Sequence, residues 1–585
     1  MHVAERIAIA LQSIFNLAVS RLGYREIISD LLLLLGLILA WCRPQIAAGF
    51  FEAVERFGTR LAERKGLAIV SLVAAAILIR LSLLWLLPIP FPRIADEFSY
   101  LLAADTFTHG RLTNPTHPLW VFFDTVHVLQ QPTYMSKYQP AQGAVLAVGQ
   151  LLGHPWIGVL LSVALMCAAL LWMLQGWLPP RWALLGGVLA MFRLGISSYW
   201  IDSYWGGAVA ATGGALVVGA LPRIMRFWRT RDALLLALGA AILANSRPME
   251  GLLICAPVMA ILFWRLCSNK SPSLRVSLAR VIVPFLTAMI LCGIFTGYYN
   301  WRLTSHALLF PEELHFRQYS VAPAFLWQKI GPPAHYQNPQ FESVYNGWAR
   351  QYSIKNRVDS VGSAAKHLVV VVLSKFVYFF LWPELCVPLL AVPWMLGDRR
   401  VRYLIFQFSI CLLGWFSAVW FLPHYAAPAT AIIFALLVQS TRHLRRWEFH
   451  RRPVGIGLTR AMVLFAVILS PLHQREGTLQ PVSSKPPTIG YRAKFAADLA
   501  AMPGEHLALV RYGVSIDSGE WVYNAADIDH AKIVWAREIP RIDDRPLLDY
   551  FRGRRVWVVE PDAIPPRITP YTGPYSGPND PPPQP

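Results

Sequence analysis

Residues 206–264 read GGAVAATGGALVVGALPRIMRFWRTRDALLLALGAAILANSRPMEGLLICAPVMAILFW and contain three apolar runs, 206–221, 232–246 and 251–264. Arg223, Arg226, Arg229 and Arg231 fill the first connection, and Arg247 to Glu250 form a short polar tip in the second. A hydrocarbon core ~30 Å thick is crossed by ~20 apolar residues in a helix, or by fewer where the flanking side chains snorkel. The stretch therefore reads as three membrane-crossing helices, joined alternately at a basic side and at an opposite side.

The same rhythm extends outward in both directions. Candidate spans run near 67–87, 155–177, 182–198, 281–300, 378–396, 402–420, 424–440 and 455–471, with another apolar run at 29–42. Three more connections are densely basic: Arg265, Lys270, Arg275 and Arg280; Arg399, Arg400 and Arg402; and Arg442, Arg445, Arg446, Arg451 and Arg452. Placing all four basic connections in the cytoplasm satisfies the positive-inside rule and closes the span parity. The outer face then receives 88–154, the tips 199–205, 247–250 and 421–424, the loop 301–366 and everything after 472. Two places strain the count: the short run 141–153 must be re-entrant or interfacial, and 367–377 must extend one helix. Residues 5–22 are amphipathic and either lie on the membrane or pair with 29–42 as a hairpin; they are not expected to be a cleavable signal.

Composition agrees. The 585 residues are 55% hydrophobic and only 15% charged, with a mean hydropathy of +0.42, which disfavours a soluble multidomain enzyme. The formal net charge of +19 comes from the short connections, not from one basic face, so nucleic acid is not an expected partner. All seven cysteines lie in or beside apolar runs, leaving neither a disulfide framework nor a zinc spacing. After 472 short helix-like (491–501, 546–552) and strand-like (507–512, 533–536, 556–560) segments alternate, and from Pro561 ten prolines in twenty-five residues suit only extended or disordered chain. The fold class expected is an all-α polytopic membrane protein of about 11–13 transmembrane helices with a small C-terminal α/β soluble domain. Its divisions are an N-terminal amphipathic or membrane segment (1–66), the membrane domain (67–472), the α/β unit (473–560) and the Pro-rich tail (561–585).

The first outer loop opens Arg93-Ile94-Ala95-Asp96-Glu97-Phe98-Ser99-Tyr100, with two adjacent carboxylates at the membrane rim. One reading is structural: acidic residues in a first helical turn meet the positive end of the dipole and satisfy free amides. The other is chemical, and the rest of the loop favours it, with Asp105, His109-Gly110, Asn114-Pro115, His117-Pro118, Asp124, His127 and Tyr134-x-x-Lys137-Tyr138-x-Pro140. An Asp-Glu pair beyond an early span, then a Tyr, a helical stretch ending in a small-residue turn, and a Lys-Tyr-x-Pro segment, resembles the GT-C superfamily of membrane glycosyltransferases. It looks most like the protein O-mannosyltransferase and aminoarabinose-transferase branch. His424-Tyr425-x-x-Pro428 resembles a second segment of that family, at the outer start of a late helix, with His where Arg is more usual. By architecture the resemblance covers roughly residues 67–471. It implies transfer of a sugar from a polyprenyl-phosphate carrier at the outer face, an acidic residue of the first loop as base, and the second segment at the carrier phosphate.

The chemistry suits the residues themselves. A sugar phosphate has a good leaving group, so an acid is dispensable, while a carboxylate near the acceptor hydroxyl takes its proton as the bond forms. Asp96 is the candidate base, with Glu97 its positioning partner or a metal ligand; adjacent helical residues point ~100° apart, so the two do not meet one atom. Asp202, in Tyr199-Trp200-Ile201-Asp202-Ser203-Tyr204-Trp205, is expected on the same face and is the third catalytic candidate. Lys137, Arg247, His424 and Tyr425 are the donor-phosphate candidates, and Arg247 has the second option of pairing with Glu250. Tyr100, His117, Tyr138, Trp205 and Glu250 are assigned to the substrate pocket. As a group, the aromatics of 199–205 read better as an interfacial belt than as a sugar platform. The charges of 301–366 suit a lid or acceptor platform and equally a solvated loop, and none is singled out.

Asp96, Glu97, His109, His117 and His127 lack the i, i+4 His or paired Cys spacing of a metal site, so no obligatory metal or cofactor is expected, with a divalent ion left open. No glycine-rich phosphate loop or dinucleotide fingerprint stands out, which points away from soluble nucleotide sugars and toward a lipid-linked donor. The expectation is an inverting, mannosyltransferase-like glycosyltransferase of the cytoplasmic (inner) membrane, moving a hexose or pentose to a glycan, lipid or protein acceptor. A transporter or lipid flippase is the alternative, for which charges at mid-membrane would be expected. A scaffold whose C-terminal unit binds a partner is the third reading.

Overall fold

The computed structural model describes residues 28–268, 273–469, 489–513, 519–539 and 542–572; the expectations for 5–22 and for the chain after 572 lie outside the described residues. Among the described residues six helices are long and apolar enough to cross a membrane: Lys65–Ser82, Pro155–Trp177, Ala208–Phe227, Pro248–Cys267, Leu274–Thr304 and Val361–Phe380. Shorter apolar helices lie at Ile28–Cys42, Glu384–Leu396 and Val454–Ile468. Helices of 15 or 16 residues at Pro180–Leu194, Thr230–Ala244, Arg402–Ser417 and Thr430–Leu444 fill the bundle between them. The chain is a membrane protein, and about 11–13 crossings are reached only if these shorter helices cross as well.

Pro155–Trp177 and Ala208–Phe227 sit at the centre, with 72% and 78% of their apolar windows buried, whereas Leu274–Thr304 is 6% buried and lies at the periphery. The central packing is backbone on backbone. A Cβ on Gly239 would lie 2.7 Å from the carbonyl oxygen of Gly213 in the neighbouring helix, so Gly239 does not accept a side chain without the helices moving apart. Lipid tails are as apolar as leucine, so close approach of small residues, more than burial of large ones, holds such helices together.

One expected span is corrected. Residues 378–396 do not form a single helix: one helix ends at Phe380 and another starts at Glu384. Pro383 accounts for the break, since proline offers no amide and the residue before it leaves the α region. The carbonyls freed at that helix end are capped from outside: buried Arg193 donates to Phe379 O at 2.7 Å and to Tyr378 O, and it pairs with Glu384 at 3.5 Å.

At the basic end of the bundle, Glu55 on the helix Ala48–Glu63 bridges Arg445 and Arg460 at 2.8 and 3.1 Å. At the opposite end, here termed the loop end, residues 88–154, the tips 199–205 and 245–250, the helix Pro311–Tyr319 and the turn Pro423–Ala429 converge. Ala141 N donates to Asn245 O at 2.9 Å, and Gln142 Nε2 to Tyr204 O at 2.9 Å. The first loop is pinned by a two-stranded ribbon, β1 (Val128–Leu129) and β2 (Met135–Ser136).

Among the described residues the C-terminal unit holds a four-stranded sheet. Strand β3 (His506–Val510) lies between β4 (Ile533–Arg537) and β5 (Arg555–Glu560), parallel to both, and β6 (Arg567–Pro570) closes the edge antiparallel to β5. Every residue of β3 is buried, which is why HLALV reads as a continuous and not an alternating apolar run. Strand β6 falls inside the stretch expected to be an unstructured Pro-rich tail; its pairing from Arg567 to Pro570 uses an edge position, where proline is tolerated.

Candidate active site at the loop end

The helix Ala95–Thr108, here the acidic helix, begins with Asp96 and Glu97, and their two carboxylates are used in opposite ways. Glu97 is 1% exposed. Its Oε2 accepts the amides of Arg93 (2.6 Å) and Ile94 (3.1 Å), and its Oε1 accepts the amide of Tyr204 (3.0 Å). Glu97 thus closes the start of its own helix and ties it to the 199–205 tip. Burial pushes its carboxyl up to about 7 against the pull of those three amides. Both Glu97 oxygens are engaged by backbone amides of the helix start and of the 199–205 tip.

Asp96 faces side chains. Its Oδ1 accepts the hydroxyl of Tyr138, and His127 Nε2 stands 3.8 Å from Oδ2. Burial, and then the charge of Asp96, hold the Tyr138 phenol well above 10, so it remains the donor. Burial, and then Lys137, keep the His127 imidazole well below 6.5 and therefore neutral near pH 7. His127 has φ +68°, a left-handed conformation that a non-glycine residue adopts at some cost. Tyr100 stacks on Tyr138 with centroids 4.5 Å apart, and Lys137 Nζ lies 4.9 Å from the Tyr138 ring centroid.

The phosphate candidates gather beside this group. Lys137 interacts electrostatically with Glu312, Asp96 and Arg247, and burial holds its ammonium below 10.5. Arg247 lies over the Tyr425 ring at 4.8 Å and pairs loosely with Glu250 at 3.9 Å. The pairing with Glu250 is present, and at 3.9 Å it leaves the Arg247 fork incompletely used. Among the described residues no ion pair within 4.0 Å joins Asp96 to either cation. Glu312, exposed on the helix Pro311–Tyr319, couples to Lys137, Arg247, Tyr100 and Tyr425. Nothing local in the sequence sets Glu312 apart from Glu313; only the fold of the 301–366 loop brings it here.

Four expectations are corrected. Asp202 pairs with Arg80 Nη2 at 2.6 Å, and that arginine, fully buried, also donates to Leu87 O at 2.8 Å. The Asp202 carboxylate is therefore held in an ion pair that ties the 199–205 tip to the helix Lys65–Ser82, away from Asp96. Arg80 was findable, because a lone arginine in an apolar run must have a partner. His117 does not line a pocket with Asp96: its Nε2 meets Asp529 Oδ1 at 3.0 Å and its ring packs on Tyr550 and Phe551, all in the C-terminal unit. His424 is buried and meets the Tyr199 hydroxyl at 3.0 Å through Nδ1, while Trp205 packs on its ring at 4.5 Å; it is one wall behind Tyr425 and not a free cation. Tyr199, Trp200, Tyr204 and Trp205 are all buried, so they form no interfacial belt; Trp200 and Tyr199 pack on Phe379 inside the bundle.

Among the described residues no group of three His, Cys, Asp or Glu is placed to hold a metal ion. An open apolar groove of about 400 Å³ runs along Val369, Leu373, Val377, Tyr378 and Trp382 and includes none of the candidate residues, so the polar cluster and not this groove is the candidate site.

No family model and no curated protein sequence matches the chain. Among solved structures it is similar to the Archaeoglobus fulgidus oligosaccharyltransferase tethered with an acceptor peptide (TM-score 0.42, 9% identity, covering 76% of this chain and 62% of that one). It is similar to ArnT from Cupriavidus metallidurans bound to undecaprenyl phosphate (TM-score 0.42, 11% identity, 84% and 92%), and to the arabinofuranosyltransferase AftD from Mycobacteria (TM-score 0.39, 14% identity, 84% and 35%). The chain spans 62% of the length of that oligosaccharyltransferase.

Proposed function

We propose that the chain is an inverting glycosyltransferase that takes a sugar from a polyprenyl-phosphate carrier at the membrane face opposite the basic connections and passes it to an acceptor hydroxyl. The observation that carries this reading is that a hydrogen-bonded carboxylate, Asp96, and two cations, Lys137 and Arg247, share one aromatic-walled cluster without neutralising one another. In a single displacement the acceptor oxygen attacks the anomeric carbon from the side away from the phosphate, which inverts the configuration. Asp96 takes the acceptor proton through Oδ2, because Tyr138 occupies Oδ1. The bond from the anomeric carbon to the phosphate oxygen breaks, its electron pair stays on the phosphate, and Lys137 and Arg247 meet the charge that builds there. Tyr100, Tyr138 and Tyr425 supply ring faces beside the sugar, and the 3.9 Å pair with Glu250 aims Arg247.

The test is release of polyprenyl phosphate by purified protein given a panel of short-chain polyprenyl-phosphate sugars, with undecaprenyl carriers included. Turnover in the wild type that falls by about 10²–10⁴-fold in Asp96→Asn supports the base assignment. Equal rates in the two proteins remove it, and labelled-solute counterflow in proteoliposomes without glycosyl product replaces the reading with a transporter.

A further inference from the structure

The C-terminal unit and the first loop share a core. Phe98, Leu102 and Phe123 of the loop lie in one buried cluster with Leu507, Tyr523 and Phe551 of the C-terminal unit. The tightest contact falls two residues after Asp96, where the Phe98 ring stacks on Tyr523 with centroids 4.2 Å apart and planes 4° from parallel. The Arg492 guanidinium lies 4.7 Å from the same Phe98 ring and donates to Trp521 O at 2.8 Å and to Tyr523 O at 2.9 Å. Its planar fork therefore fixes the strip of chain that presents Tyr523. Two turns further along the acidic helix, Asp105 Oδ2 accepts the amide of Ala526 at 2.7 Å.

These contacts grip the acidic helix at its first and third turns, on the backbone that carries Asp96. A helix transmits a displacement at one residue to its neighbours almost rigidly, since every turn is hydrogen-bonded to the next. A unit that served only to gather acceptor would need a surface and a tether, not an aromatic stack and a guanidinium fork beside the candidate base. We propose that Tyr523 and Arg492 are positioning residues for the Asp96 carboxylate, acting through Phe98, so that the C-terminal unit is a structural part of the site. The kinetic consequence rests on Asp96 being the base; the mechanical one does not.

The experiment uses the full chain in detergent with Tyr523→Ala, Tyr523→Phe and Arg492→Lys. Hydrogen exchange of amides 97–100 is expected to rise about tenfold in Tyr523→Ala, with Pro155–Trp177 unchanged and Tyr523→Phe close to wild type because the ring is kept. On a polyprenyl-phosphate sugar that the wild type turns over, kcat is expected to fall by about 10²-fold in Tyr523→Ala with donor KM steady, as for a carboxylate displaced by ~1 Å. Arg492→Lys keeps the charge, loses the fork, and is expected to fall between the two; it carries both readouts if the alanine variant does not fold. Unchanged exchange at 97–100, or a rise in KM with kcat intact, overturns the proposal. A wild type that turns over no donor overturns the proposed function instead, and the exchange result then decides the positioning claim by itself.

Discussion

Asp202 and Asp96 sit at the same end of one bundle, each beside a cation and an aromatic ring, yet one is closed and the other open. Asp202 is spent on Arg80 at 2.6 Å, and Arg80 on Leu87 O and the face of Trp156. Asp96 keeps one oxygen clear of any hydrogen bond among the described residues, with Lys137 and Arg247 near but unpaired to it. The lesson concerns what a buried charge is for. A guanidinium in direct contact neutralises a carboxylate and stitches a span to a tip, whereas cations held back by rings and by a loose pair remain available to a second anion.

The sharpest way to break this comparison is to exchange the roles. Asp96→Asn is expected to lower turnover by about 10³-fold with little change in thermal unfolding, while Asp202→Asn is expected to keep most turnover; equal losses of turnover in the two variants would erase the distinction. Next in size is the closed pair itself. Arg80→Met leaves Asp202 without its guanidinium and is expected to destabilise the protein by about 3 kcal/mol, and the double variant with Asp202→Asn is expected to recover much of that in the same melting experiment. A smaller effect sharpens the open group: Lys137→Met is expected to raise the donor KM by about tenfold while shifting the melting temperature little, because no ion pair is lost.

A separate effect is on pH dependence and belongs to Glu97. Its carboxyl is raised from 4.5 to about 7 in the folded chain, so the folded state binds the proton more tightly than the unfolded state. The stability this contributes is complete below about pH 4.5 and is lost as pH rises to about 7, above which the curve is flat. Glu97→Gln is expected to remove that slope in melts recorded between pH 4.5 and 8, and an unaltered slope would mean that another group carries it.

Much of the architecture was legible because hydropathy is a one-dimensional signal: the runs at 155–177 and 251–264 needed no partner to be recognised. The helix start at Asp96-Glu97 was legible for the same reason, since caps and dipoles are local. What escaped was set by contacts distant in sequence. Which of two adjacent carboxylates turns to backbone depends on where the amide of Tyr204 arrives, and the burial of Trp200 and Tyr204 depends on Phe379, Phe380 and the acidic helix. His117 looked like a pocket residue because its surface partner, Asp529, lies in a unit that sequence reading treats separately. The helix break before Glu384 was visible in Pro383, but its cap, Arg193, was not.

The stack of Phe98 on Tyr523 also orders events in time. Phe98 leaves the ribosome early and its partner more than four hundred residues later, a wait of roughly 20–85 s at 5–20 residues per second. Throughout that interval the acidic helix lacks the ring it finally rests on, and its apolar face must be shielded by the membrane surface or by a chaperone. A chain stalled or cleaved before Tyr523 would thus carry the bundle and an unfinished first loop, so translation itself withholds the final arrangement of Asp96 until the C-terminal unit has been made.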